Sequence, residues 1–96
     1  MKPTAILINV SRGSLICDED LLEALRENRI LAAGLDTHNH EPLEADSPYF
    51  QLDNVVLTDH TAYSTAESVL DLKTKAAQNV IDVLTGKTPK YPVNQI

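Results

Sequence analysis

Two short apolar stretches decide the fold: Ala5–Val10, which reads AILINV, and Ile30–Leu35, which reads ILAAGL. Continuous apolar runs of this length, without alternating polar residues, are typical of strands that lie in a parallel sheet. Between them, Asp18–Asn28 begins with three acidic residues and has leucines at helical spacing. Acidic residues in a first turn suit the helix dipole, so this segment predicts an α-helix. Strand, helix and strand in this order predict an α/β fold.

The rest of the chain extends this pattern. Asn54–Thr58 (NVVLT) predicts a third strand, and the long polar stretch Thr37–Asp53 before it predicts a loop. Ser64-Thr65-Ala66-Glu67 matches the S-x-x-E capping box and predicts a second helix that ends near Thr85, before Gly86. Because three strands and two helices cannot cover both faces of a sheet, we expect part of a larger sheet.

Composition limits the function classes. The 96 residues contain 14 acidic and 8 basic side chains, a net charge of -6, which argues against nucleic acid and anionic membranes as partners. The single cysteine, Cys17, cannot form an internal disulfide and indicates a reducing compartment. No apolar run approaches the length of a membrane span or a signal peptide, so we expect a cytoplasmic protein.

Polar side chains follow each predicted strand, at the edge where ligands of parallel sheets bind. Arg12 follows the first strand, Asp36 and Glu41 follow the second, and His60 follows the third. An arginine can bind a carboxylate, a histidine can transfer a proton at neutral pH, and a carboxylate can orient that histidine. This set suits carbonyl reduction or hydroxyl oxidation with hydride supplied by a cofactor.

Three other groupings of reactive side chains have simpler interpretations. His38 and His40 beside Glu41 have a metal-binding spacing, but three loop residues are a weak signal and we predict no metal site. Cys17 is interpreted as a small buried residue at a helix start, since no motif activates it. Ser11 with Asp59 and His60 lacks the nucleophile-elbow pattern of a hydrolase triad and is rejected.

Four motifs occur in order along the chain. They are N-V-S-R-G at Asn9–Gly13, A-A-G-L-D at Ala32–Asp36, E-P at Glu41-Pro42 and N-V-V-L-T-D-H at Asn54–His60. With P-V-N at Pro92–Asn94, they resemble the C-terminal part of the nucleotide-binding domain of the D-isomer-specific 2-hydroxyacid dehydrogenases, such as D-3-phosphoglycerate, D-lactate and glycerate dehydrogenases. The resemblance covers essentially the whole chain.

This resemblance implies a fold and an activity. The fold would be the C-terminal half of a Rossmann-type, doubly wound parallel sheet of three strands and two helices, incomplete as an independent domain. The activity would be NAD-dependent interconversion of small D-2-hydroxy acids and 2-oxo acids, with NADP not excluded and with homodimerisation or self-association. Residues 1–96 hold no G-x-G-x-x-G fingerprint and no substrate domain. We therefore expect a fragment that is inactive alone, the alternative being a non-catalytic half-domain that self-associates or pairs with another chain.

The resemblance also implies roles for individual residues. Arg12 would bind the substrate carboxylate or keto oxygen, His60 would donate a proton to the 2-oxo acid, and Glu41 would pair with His60. Asp36 would hold the nicotinamide carboxamide. The positions implied for cofactor contact are Val10, Ser11, Arg12, Asp36, His60, Thr61, Ala62 and Tyr63.

The sequence departs from the family pattern at three places. Asp59 stands where the family usually has proline before the catalytic histidine. Residues 37–40 read THNH where the family usually has aromatic and acidic residues, and Cys17 replaces an acidic residue before the first helix.

Overall fold

The computed structural model describes residues 1–95 and divides the chain into two compact units, residues 1–62 and the residues from Tyr63 onward. The first unit holds strands β1 (Ile6–Asn9), β2 (Ala32–Leu35) and β3 (Val55–Leu57). They form one parallel sheet in the order β1-β2-β3. The predicted α/β class with three parallel strands and two helices is confirmed.

The predicted element boundaries differ from the observed ones by at most two residues. Helix α1 spans Asp18–Arg26, and each strand is shorter than the apolar run that predicted it. Such differences are expected, because an apolar side chain can pack beside a sheet after its backbone has left the ladder of hydrogen bonds. The order and type of these elements are as predicted.

The core of the first unit lies on one face of the sheet. Three leucines of α1 contact the inward-facing residues of β2 there. The buried set comprises Leu21, Leu22, Leu25, Ile30, Ala33, Leu35 and Tyr49. The opposite face is apolar but open, with Ile8 65% and Val56 68% exposed. Within residues 1–62 a helix covers only one side of the sheet, which leaves the other face of these strands exposed.

The segment between β2 and β3 is more ordered than the predicted loop. It contains a 3-10 helix at Pro48–Gln51, and Tyr49 within it is only 4% exposed. The Tyr49 hydroxyl donates a 2.8 Å hydrogen bond to Oδ1 of Asp18, at the start of α1. The long polar segment is thus anchored to the core by one aromatic side chain.

The second unit is built around helix α2, Ala66–Leu84. Its N-cap is Thr65, whose Oγ1 accepts a 3.1 Å hydrogen bond from the N–H of Ser68. The predicted capping box beginning at Ser64 is therefore wrong by one residue, because Thr65 takes the extended cap conformation and leaves Ser64 outside the helix.

The predicted helix end is confirmed in detail. Gly86 has φ +72°, its N–H donates to the carbonyl of Val83, and the N–H of Lys87 donates to the carbonyl of Asp82. This pair of bonds is the Schellman motif, for which glycine is the favoured residue. Within residues 1–95, no helix combines the length and the apolar character needed to cross a bilayer.

Candidate active site

The parallel register brings the three strand ends to one edge of the sheet. Asn9 is level with Leu35, and Leu35 is level with Leu57, so the residues after each strand are neighbours. One cleft of about 380 Å³ opens there. Its lining comprises Arg12, Gly13, Ser14, His38, Asn39, Glu41 and His60. The structure thus brings together the three residues predicted to be catalytic, Arg12, Glu41 and His60.

His60 and Glu41 form a hydrogen-bonded pair in this cleft. Nδ1 of His60 lies 2.8 Å from Oε2 of Glu41. An ionised carboxylate can only accept, so Nδ1 carries the proton and Nε2 is the ring atom that can exchange one. The backbone N–H of His38, 2.9 Å from the other carboxylate oxygen, together with His60, lowers the pKa of Glu41. Glu41 is therefore ionised at neutral pH and suited to stabilise a protonated imidazole.

Asp36 fixes the turn that carries His60. His60 has φ 51°, in the left-handed region that non-glycine residues seldom adopt. The carbonyl of Asp36 accepts the N–H of His60 at 2.9 Å. Its carboxylate accepts the Thr58 hydroxyl at 2.6 Å and the backbone N–H groups of Thr61 and Ala62 at 3.0 Å. These donors, the Thr58 hydroxyl first, lower the pKa of the buried Asp36 carboxyl.

Asn9 shapes the segment that carries Arg12. Its Oδ1 accepts the N–H of Ser11 at 3.1 Å, and its Nδ2 donates to the carbonyl of Arg12 at 2.8 Å. Arg12 is exposed, and its guanidinium donates to the carbonyl of Ser11 at 2.8 Å. This positioning role of Asn9 is not predicted from the sequence. An asparagine directly before a turn, where its side chain can bond the backbone two residues on, was the available signal.

Gly13 brings the β1 and β2 ends into contact. A Cβ atom on Gly13 would lie 2.2 Å from the carbonyl carbon of His38 and 2.4 Å from the backbone nitrogen of Asn39. Only glycine permits this approach of two backbones. The segments that carry Arg12 and Glu41 are therefore held together by direct main-chain packing.

A second cavity, of about 320 Å³, lies beside Asp36 on the open face of the sheet. Its wall is largely apolar, with Asp36 and the turn after β3 at its rim. The lining comprises Ile8, Val10, Gly34, Leu35, Asp36, Val56, Thr58, Thr61 and Ala62. Four predicted cofactor positions, Val10, Asp36, Thr61 and Ala62, meet here. Tyr63 belongs to the second unit, and its contact with cofactor stays a prediction.

Two other residues singled out in the sequence are His38 and Cys17. Nε2 of His38 lies 2.9 Å from the carbonyl oxygen of Thr58. Among residues 1–95, no three His, Cys, Asp or Glu side chains are grouped to hold a metal ion. Cys17 is exposed. Its predicted burial is wrong, because as the N-cap of α1 it precedes the residues that pack on the sheet.

Comparison with known proteins gives the family. The model of the D-isomer specific 2-hydroxyacid dehydrogenase NAD binding domain matches residues 1–62. The chain is 43% identical over 94 residues to glyoxylate/hydroxypyruvate reductase B of Salmonella paratyphi B, covering 98% of the chain and 29% of that relative. The Pectobacterium atrosepticum enzyme of the same name is 44% identical, with the same coverage. The chain thus spans less than a third of the length of these relatives.

Solved structures agree with these matches. D-lactate dehydrogenase of Lactobacillus jensenii with NAD+ superposes with a TM-score of 0.72 at 34% identity, over 99% of this chain and 32% of that one. An NADPH-dependent glyoxylate/hydroxypyruvate reductase of Sinorhizobium meliloti in complex with NADP and sulfate gives a TM-score of 0.79 at 27% identity, over 95% and 28%. The predicted Rossmann-type half-domain is confirmed, and the chain belongs to the D-isomer-specific 2-hydroxyacid dehydrogenase family, matching its NAD-binding domain.

Proposed function

We propose that this chain supplies the proton-transfer and substrate-anchoring residues of an NAD(P)-dependent enzyme that interconverts D-2-hydroxy acids and 2-oxo acids. The observation that carries the proposal is the cleft where Arg12 meets the hydrogen-bonded pair of Glu41 and His60. The chain would be the C-terminal part of the NAD-binding domain. The glycine fingerprint and the substrate domain would come from sequence outside these residues.

The proton step follows from the geometry of the pair. With Nδ1 of His60 bonded to Glu41, protonated His60 can donate from Nε2 to the carbonyl oxygen of a 2-oxo acid. Before this transfer Glu41 stabilises the charged imidazole, and after it Glu41 keeps the neutral ring oriented. In the direction of oxidation, neutral His60 accepts the hydroxyl proton at the same atom.

Arg12 anchors the substrate in this proposal. Its guanidinium is permanently charged, and its planar set of donors matches a carboxylate. It lines the cleft with His60, so a 2-oxo acid whose carboxylate binds Arg12 can present its carbonyl oxygen to the imidazole. The names of the relatives favour glyoxylate and hydroxypyruvate as the first substrates to test.

The cavity beside Asp36 fits the nicotinamide end of the cofactor. Val10 and Val56 give it an apolar wall, and a carboxylate and backbone groups lie at its rim. Asp36 accepts from three donors, which leaves one of its roughly four lone-pair sites for a carboxamide N–H. When bound, the cofactor supplies the hydride. Related structures contain NAD+ in one case and NADP in another, so both are candidates.

The test uses the full polypeptide that contains this chain. His60→Ala should lower turnover of glyoxylate with NADH or NADPH by about 10²- to 10⁴-fold, the usual contribution of a general acid, with little change in cofactor affinity. Asp36→Ala should instead weaken cofactor binding by about tenfold, as expected for one lost hydrogen bond to a charge. His40→Ala, outside the cleft, is the control. Unchanged turnover in His60→Ala would refute the catalytic assignment.

A second function is favoured by the open sheet. The exposed apolar face at Ile6, Ile8 and Val56, together with the two edge strands, is the kind of surface that associates with another chain. In this alternative the chain is a non-catalytic half-domain. Light scattering on the 96-residue chain should then show an oligomer without reductase activity, and a folded monomer would count against it.

Two further elements belong to the main proposal. The complete enzyme would be a homodimer, and it would act in the cytoplasm. The single cysteine, exposed at Cys17, suits a reducing compartment.

A further inference from the structure

The loop that carries Glu41 is tied to two neighbouring segments by consecutive side chains. Nδ2 of Asn39 donates to the carbonyl of Ile16 at 3.2 Å and to Oδ2 of Asp18 at 2.8 Å. The ring of His38 reaches in another direction, to the carbonyl oxygen of Thr58 at 2.9 Å. Asn39 therefore holds the loop to the start of α1, and His38 holds it to the end of β3.

The hydrogen bond between the His38 ring and Thr58 can form in only one direction. A carbonyl oxygen accepts and cannot donate, so Nε2 of His38 carries the proton and donates to Thr58. Because Nε2 is used in this bond, it is the atom that anchors His38 rather than a proton donor to substrate.

His38 contacts Glu41 directly and also contacts the strand end that leads to His60. The backbone N–H of His38 donates to Oε1 of Glu41 at 2.9 Å. Its ring holds the main chain at Thr58, two residues before His60. Thr58 also donates its hydroxyl to Asp36, so its position is fixed from both sides of the turn.

We propose that His38 is a positioning residue that sets the distance between Glu41 and His60. Its backbone fixes the carboxylate, and its ring fixes the strand end that leads into the imidazole. The expected effect of His38 on turnover rests on the function proposed above. The family pattern usually has an aromatic and acidic stretch at residues 37–40, so this histidine is a feature of the present sequence.

Two variants at His38 separate the effect of the hydrogen bond from the effect of ring packing. His38→Phe keeps a flat ring but removes the donor. His38→Gln keeps an N–H at a similar distance from the backbone and should restore the bond to Thr58. His40→Phe, two residues away and exposed, is the matched control for adding a phenyl ring to this loop.

In the full polypeptide, His38→Phe should lower kcat by about 10- to 100-fold, the effect of displacing a reacting group by up to about 1 Å. KM and cofactor affinity should stay within a few fold. His38→Gln should recover most of kcat, and His40→Phe should match the parent. Equal kcat in His38→Phe and the parent, or no recovery in His38→Gln when both are folded, would overturn the proposal.

A spectroscopic measurement tests the geometry without activity. Ring 15N spectra of the intact chain should show His38 protonated at Nε2 and His60 protonated at Nδ1. The His60 Nδ1 signal should persist in His38→Gln and weaken by exchange in His38→Phe. Parent spectra with His38 protonated at Nδ1 alone would overturn the proposal, even if His38→Phe does not fold. Correct tautomers in a protein without reductase activity would refute the proposed function and leave this structural inference standing.

Discussion

Gly13→Ala tests how the two halves of the active-site cleft are joined. The new Cβ would lie 2.2 Å from a backbone carbon of His38, whereas ordinary contact begins at 3.4 Å. The two backbones must therefore separate by about 1 Å. No side-chain rotation can relieve the contact, because the three atoms nearest the new Cβ all belong to the main chain. Overpacking of this kind costs about 1–3 kcal/mol of unfolding free energy, and we expect the upper end.

The same displacement should reach the chemistry. His38 and Asn39 lie just before Glu41, so moving them by about 1 Å should lower turnover by about 100-fold. Urea unfolding gives the stability change, and steady-state kinetics of the full polypeptide gives the turnover. Gly86→Ala is the control: its Cβ meets nothing within 4 Å, so only its positive φ contributes, at about 1 kcal/mol. A Gly13→Ala variant as stable as Gly86→Ala or better would refute this reasoning.

Three further predictions concern the core and the carboxylates. Leu25→Ala should lower the unfolding free energy by about 2–5 kcal/mol in urea titration, because Leu25 is 1% exposed and its removal leaves a cavity; a loss below 1 kcal/mol would contradict the packing described. Tyr49→Phe should cost about 0.5–1.5 kcal/mol for the lost bond to Asp18, measured in the same way, and no loss would show that the bond does not anchor the segment. The pKa values of Asp36 and Glu41 are lowered in the folded protein, so these carboxylates stabilise it fully above their unfolded-state pKa values, and this stabilisation is lost as the pH falls from about 5 toward 2. The urea midpoint should fall over that pH range, and it should fall less in Asp36→Asn. A midpoint that does not change with pH would contradict the hydrogen bonds described for the two carboxylates.

Much of the fold could be predicted because local patterns and tertiary packing agree in it. The runs AILINV and ILAAGL lack the polar alternation of a one-sided strand and are too short for buried helices, and the acidic turn at Asp18–Asp20 marks the start of α1. Gly86 ends α2 for a reason visible in one residue, its left-handed backbone. In each case the responsible interaction spans only a few residues.

The features that were not predicted from the sequence depend mostly on contacts between residues far apart in the chain. Tyr49 lies in a polar stretch, and its burial depends on a partner 31 positions away. The three donors to the Asp36 carboxylate, and the hydrogen bond from the His38 ring to Thr58, likewise join segments that no local pattern connects. The cap at Thr65 in place of Ser64 was missed for a different reason, since two adjacent hydroxyl residues can each cap a helix and only the backbone angles decide.

The carboxylate of Asp36 also implies an order of events during synthesis. Its acceptor oxygens are in place once β2 forms, but its donors lie 22 to 26 residues further along the chain. At synthesis rates of about 5–20 residues per second, these donor residues are added roughly one to five seconds after Asp36. The sheet order follows the chain order, so β1, α1 and β2 can pack first. The turn holding His60 is therefore the last part of the first unit to be assembled on the ribosome.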